Sequence, residues 1–219
     1  MQSKCMTNWA DLTKVCLVAM GAVVVALLMG AQPVSGQQPA AGQYSLTDLG
    51  TLPGKDASVA YDINSLGQVV GFSFTTSEDF RAFLWEDGEM TDLGTLPGKD
   101  ASVAYGINSL GQVVGYSYTA SGEYRAFLWE NGEMTDLGHL GGGYSFAYGI
   151  NDRGQVVGIS VPASGTPHAF FWEDGEMTDL GTQVFNGSEA NGINSRGQVV
   201  GFNGAGGSIH AFLWSKEGR

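Results

Sequence analysis

The fifteen residues TDLGTLPGKDASVAY stand twice in the chain, at 47–61 and at 91–105, without a change. They belong to a longer period. DLG recurs at 48–50, 92–94, 136–138 and 179–181, and IN followed by GQVVG recurs over 63–71, 107–115, 150–158 and 193–201. Trp85, Trp129, Trp172 and Trp214 close the four copies at spacings of 42 to 44 residues. Across 47–71 and 91–115 the first two copies differ only at Asp62 and Gly106. A chain written this way must fold as four similar units, each burying its apolar surface against its neighbours.

Each copy reads as four short strands. In the second, SVAYGI (102–107) leads into NSLG (108–111), whose Asn and Gly suit a type I turn. QVVGYSY (112–118) is β-branched and aromatic. A polar loop then leads to YRAFLWE (124–130). NG at 131–132, like DG at 87–88 and 174–175, marks a tight hairpin because both residues tolerate positive φ. EMTDLG (133–138) completes the copy, and residues 37–219 nowhere place apolar side chains at helical spacing. QVV and AFLW are apolar at consecutive positions, so both faces of these strands require cover.

Four-stranded units of about 40–50 residues, repeated and stacked face to face, predict a β-propeller. The expected architecture is all-β, with four blades. A β-solenoid is the alternative. The strand order is similar to the kelch blade, and that similarity implies SVAYGI innermost and EMTDLG outermost. YSLTDLG (44–50) is an outer strand without a third strand before it, and IHAFLW (209–214) is a third strand without an outer one after it. The expectation is that the first pairs beside the second and closes the ring, giving a monomer. The other possibility is an incomplete ring.

The first 36 residues differ in kind. Lys4 and Lys14 precede an uncharged apolar stretch, then Pro33 and the small residues VSG at 34–36, the pattern of a secretory signal peptide. The uncharged run 15–31 only reaches the lower limit of a spanning helix, about 17 residues. Residues 1–36 are therefore expected to be a signal peptide, 37–43 a linker and 44–219 the repeat domain, secreted to the cell surface, the medium or the periplasm. No membrane span is expected after cleavage. Cys5 and Cys16 fall in the removed segment, so no disulfide or thiolate metal site is expected. Residues 37–219 keep 8 of the 10 Lys/Arg and 21 of the 22 Asp/Glu, a formal charge of −13, which argues against nucleic acid as a partner.

A residue present in every copy is read first as packing. Trp85, Trp129, Trp172 and Trp214 with Phe83, Phe127, Phe170 and Phe212 are the expected inter-blade core. Asp48, Asp92, Asp136 and Asp179 precede the LG turn and are expected to bond its amides. No catalytic constellation, metal cluster or cofactor loop can be assembled. The copies differ in two loops each: TLPGKDAS becomes HLGGGYS and TQVFNGSE, and TTSEDF becomes TASGEY, PASGTP and NGAGGS. In an up-and-down blade these two connections emerge on one face, and binding residues gather on loops held by a rigid scaffold. The binding candidates on that face are His139, Tyr144, Tyr124, Phe80 and Phe185.

The units EMTDLGTLPG, AYGINSLGQVVGYS and HAFFW resemble the HAF family of bacterial extracellular repeats, named for the His-Ala-Phe that stands here at 168–170 and 210–212. Copies one and two carry Arg81 and Arg125 in place of that His. The resemblance spans 44–214 and implies a secreted or cell-surface repeat protein. The expected function is a binding or structural module for a carbohydrate, peptide or surface partner. The alternative is an extracellular enzyme acting on glycans or lactones.

Overall fold

The computed structural model describes residues 44–216 apart from 78, 119, 121, 182–186 and 206. The signal-like segment and the linker lie outside the described residues. Among the described residues the fold is all-β, with no helix. Copy one gives β1 (Ala57–Ile63), β2 (Val69–Phe74), β3 (Phe80–Glu86) and β4 (Glu89–Asp92). Copy two gives β5 (Ala101–Ile107), β6 (Val113–Tyr118), β7 (Tyr124–Glu130) and β8 (Glu133–Asp136). Copy three gives β9 (Gly141–Ile150), β10 (Val156–Pro162), β11 (His168–Glu173) and β12 (Glu176–Asp179). Copy four gives β13 (Ser188–Ile193), β14 (Val199–Ala205) and β15 (Ser208–Trp214). Each copy is an antiparallel meander in chain order, and one parallel pair, Tyr124 with Tyr144, joins the second meander to the third.

The turns follow from their residues. Asn64 Oδ1 accepts the amides of Leu66 and Gln68 at 3.0 and 3.1 Å, and the same cage recurs at Asn108, Asn151 and Asn194. The hairpin residues Asp87, Asn131 and Asp174 sit at φ of 50°, 52° and 53°. Asp48, Asp92, Asp136 and Asp179 each accept the amide of the Gly two residues on, at 2.7 to 3.0 Å, as the LG turn required. The first strands of the meanders, called inner after the position expected of them, bulge between Ala60 and Asp62 in the first copy and between Ala104 and Gly106 in the second. The bulged strand presses its backbone on the neighbour. A Cβ on Gly71, Gly115, Gly158 or Gly201 would lie 1.9 to 2.0 Å from an inner-strand carbonyl, which is why GQVVG keeps its last glycine.

Successive sheets stack face to face. The face of each sheet toward the next carries Val70, Ala82 and Leu84 in copy one, and the face toward the preceding sheet carries Phe127, Val113 and Trp129 in copy two. The same pairing repeats between copies two and three and between three and four. Phe83, Phe127 and Phe170 are buried to the last percent. Trp85, Trp129, Trp172 and Trp214 pack against the buried clusters and are themselves partly buried, because each closes its strand at the turn end of the sheet. Phe212 also packs there and is only partly covered, because β15 has no further strand beside it among the described residues.

Two polar devices fasten each seam. Ser102 Oγ accepts the Ala82 amide of the preceding sheet at 3.0 Å and donates to the Gly94 carbonyl at 2.6 Å. Ser145 does the same for Ala126 and Gly138, and Ser188 for Ala169 and Gly181. Asn64, Asn108 and Asn151 donate their amides to the carbonyls of Asn108, Asn151 and Asn194 at 2.9 to 3.0 Å, a ladder through all four turns. The first and fourth sheets share no such bond among the described residues, and no sheet is closed. The expected closing strand is not seen: residues 44–50 carry no strand, and nothing pairs with the outer side of β15 among the described residues.

Candidate functional site

The two connections that vary between copies do share one end of the sheets. Within copy one the 51–58 loop bonds the β2–β3 loop: Lys55 pairs with Asp79, and Asp56 Oδ2 accepts the Thr76 amide at 3.1 Å. Copy two repeats the latch with Lys99 and Glu123 at 2.9 Å and with Asp100 and the Ala120 amide at 3.0 Å. Lys55 and Lys99 hold the carboxyls of Asp79 and Glu123 below their ordinary values by hydrogen bonding and charge.

Beneath these loops lies a continuous aromatic layer, and three of the predicted residues belong to it. Phe80 packs on Phe72 and Phe74 and meets Tyr118 at 6.4 Å across the first seam. Tyr118 stacks on Tyr124 at 5.2 Å, Tyr124 meets Phe146 at 5.2 Å, and Phe146 meets Tyr144 at 5.3 Å. His139 stands apart. It is exposed, and its Nδ1 accepts the Gly141 amide at 2.9 Å, the bond that Asp makes in the LG turns. Phe185 lies outside the described residues.

The layer also runs inward, through residues that the sequence did not single out. Tyr61, Tyr105 and Tyr148, one from each of the first three inner strands, follow one another at 4.9 and 5.5 Å. The fourth inner strand breaks the pattern. Asn191 takes the place of the tyrosines, and Glu189 takes the place of Val59, Val103 and Phe146. Burial raises the Glu189 carboxyl above its ordinary value, and burial, helped by the Glu189 charge, raises the Tyr144 hydroxyl. Aligning the copies column by column is the sequence signal that finds Glu189, since it is the one acid in an apolar column.

The opposite end of the sheets holds a cavity of about 300 Å³ bordered by the IN turns of all four copies, including Ile63, Ile107, Ile150 and Ile193. The four inner strands therefore converge on one mouth. The Asn side chains there serve the turn cages, and Asn64, Asn108 and Asn151 also the ladder, while Ser65, Ser109, Asp152 and Ser195 give the mouth a polar lining. Among the described residues no group of three or more His, Cys, Asp or Glu is placed to hold a metal, and no helix is long and apolar enough to cross a membrane.

No family model and no curated protein matches the chain. Among solved structures, TolB from Acinetobacter baumannii, a β-propeller, is similar with a TM-score of 0.54 at 12% identity, over 72% of this chain and 41% of that one. The fold is propeller-like. This chain thus spans less than half of TolB, and the likeness is one of fold alone. A fucose lectin from Kordia zhangzhouensis, solved in complex with methyl-fucoside, gives a TM-score of 0.35 at 15% identity over 56% of this chain and 96% of that one, too slight a likeness to carry an argument.

Proposed function

We propose that this protein is a secreted or cell-surface binding module of the HAF type, a four-bladed ring closed by residues 44–50 beside β15, that engages a carbohydrate on its loop-bearing face. The observation that carries the reading is the aromatic layer under the variable loops, whose Tyr144 lies within the electrostatic reach of the Glu189 carboxyl of the fourth copy. Aromatic faces cover the C–H surface of a sugar ring, while a few placed polar groups bond its hydroxyls and set orientation. A carboxyl in a partly desolvated setting bonds hydroxyls more strongly than one in water. Catalysis is the weaker reading. Burial alone raises the Glu189 carboxyl, with no second carboxylate among the described residues contributing, whereas glycoside cleavage commonly works with a pair.

A glycan array probed with the wild-type protein tests the reading. Binding is expected to one class of saccharide and to fall with Tyr124→Ala and with Glu189→Gln. An array without binding above background, or binding that neither substitution weakens, rejects it.

A further inference from the structure

The turn end of the sheets changes its charge from the first copies to the last. Leu66 and Leu110 stand in the turns of copies one and two, and Arg153 and Arg196 take their places in copies three and four. Trp85, Trp129 and Trp172 are followed by Glu86, Glu130 and Glu173 and then by Asp87, Asn131 and Asp174. Trp214 is followed by Ser215 and Lys216 instead. The seam between copies three and four combines both changes. A cavity of about 300 Å³ lies there, lined by Arg153, Gln155 and Phe171 of copy three and by Arg196, Gln198 and Lys216 of copy four. No carboxylate lines it.

The arginines of this cavity are available. Elsewhere Lys55, Arg81 and Lys99 pair with carboxylates, and Arg125 donates to the Tyr124 and Gly143 carbonyls. Lys216 reaches Glu173 at 3.2 Å and keeps more than half of its side chain exposed. The guanidinium groups of Arg153 and Arg196 form neither an ion pair nor a hydrogen bond among the described residues. Residues 37–219 carry a formal charge of −13, yet these two cations stand away from every carboxylate and line the same cavity. Gln198 adds a donor. Gln68 Nε2 donates to Glu86 at 3.0 Å in copy one, and Gln155 Nε2 donates to Glu173 at 2.5 Å in copy three. Ser215 replaces that acid in copy four. There Gln198 Oε1 accepts Asn194 Nδ2 at 2.8 Å, and Gln198 Nε2 has no acceptor among the described residues.

We propose that this seam binds a phosphate or sulfate group, free or as the monoester end of a larger molecule. Each guanidinium offers a planar pair of N–H donors that matches two oxygens of such a group. The Lys216 ammonium adds a point charge and Gln198 Nε2 a neutral donor. Glu173 already occupies Lys216 in part, so the two arginines carry most of the recognition. Buried Phe171 gives the cavity an apolar wall, and charged contacts strengthen beside such a surface. A volume of about 300 Å³ is at the lower end for small-molecule sites, so the anionic group enters and a bulky remainder stays outside. The site lies at the end of the sheets away from the variable loops and is independent of the carbohydrate reading.

Titration of the wild-type protein at neutral pH and constant ionic strength tests this, with chloride replaced by inorganic phosphate, by sulfate or by methyl phosphate. The readout is the arginine Nε–H and Gln198 side-chain amide resonances. Saturable shifts are expected, with a midpoint on the order of millimolar or below. Arg153→Leu and Arg196→Leu are each expected to raise the midpoint about tenfold or more. The fold accepts leucine in these turns, since Leu66 and Leu110 are 69% and 68% exposed. Ser215→Glu restores the acid beside Gln198 and is expected to weaken binding too. Arg81→Leu removes an equal charge at the other end of the sheets and is expected to leave the midpoint unchanged. Methyl phosphate binding as tightly as inorganic phosphate assigns the monoester end, and tighter binding of inorganic phosphate assigns the free ion; both support the site. Shifts that grow without saturation overturn it, as does a midpoint that neither arginine substitution moves or an equal loss on Arg81→Leu. Each of these is what the screening of solvated charges would give.

Discussion

The three seams inside the stack and the two faces at its ends are built from the same motif and have opposite fates. Val157 is fully buried and Val200 is half exposed, although both stand in GQVVG. Phe170 is fully buried and Phe212 is not, although both follow His-Ala. In a repeat protein burial is therefore a property of the neighbour, and the residue only makes it possible. Stability is expected to be a sum over seams, with the end copies weakest.

The largest test of that contrast is truncation of the repeated phenylalanine. Phe127→Ala removes a fully buried ring from the first seam and is expected to cost about 3–5 kcal/mol. Phe212→Ala is expected to cost clearly less, because its site is partly open. Equal losses in denaturant midpoint would show that the end copy is as tightly packed as the middle ones.

Next in size is the serine at each joint. Ser102→Ala leaves the buried Ala82 amide without its acceptor and is expected to cost about 1–3 kcal/mol. In a closed ring Ser58→Ala costs a similar amount. If the end faces stay open, it falls within the roughly 0.5 kcal/mol of an ordinary surface change. The pair thus measures in solution whether the fourth seam exists.

Much of this fold was legible because the period is written four times. The hairpins at Asp87, Asn131 and Asp174, the aspartate turns and the face shared by the variable loops each rest on local chemistry, and local chemistry survives in sequence. The division of labour inside AFLW was not legible. Four apolar residues in a row do not say that Phe127 is sealed while Trp129 reaches the rim, since that depends on where the neighbouring sheet ends. The serine and asparagine devices were hidden for a related reason. SVAY and IN read as strand and turn, and only the stacked geometry shows that Ser102 and Asn108 act on a neighbouring copy. Glu189 was missed because it breaks a column whose meaning, the inward aromatic layer, is visible only once the strands are placed.

Glu189 and Asp79 make opposite predictions about pH. Burial holds Glu189 above its ordinary value, so the fold prefers it protonated. Its contribution is therefore favourable at low pH and is lost as pH rises through the window between the unfolded and folded values. Glu189→Gln is expected to remove that decline and to leave the protein more stable at neutral pH than the wild type.

The smallest effect is expected at the loop latch. Lys55 holds Asp79 below its ordinary value, so this pair stabilises the fold above the normal carboxylate range and its contribution is lost as pH falls through the folded value. The Asp79 carboxylate is about half exposed, so water and salt screen the pair, and Asp79→Asn is expected to cost no more than about 1 kcal/mol at low ionic strength. Because Lys55 is largely covered while Asp79 is not, Lys55→Ala should also cost packing along its stem. The measurement is a pair of melting curves with and without added salt. A salt-independent loss on Asp79→Asn would show that the latch orders the loops by shape, and the face where the copies diverge would then be rigid by packing instead of by charge.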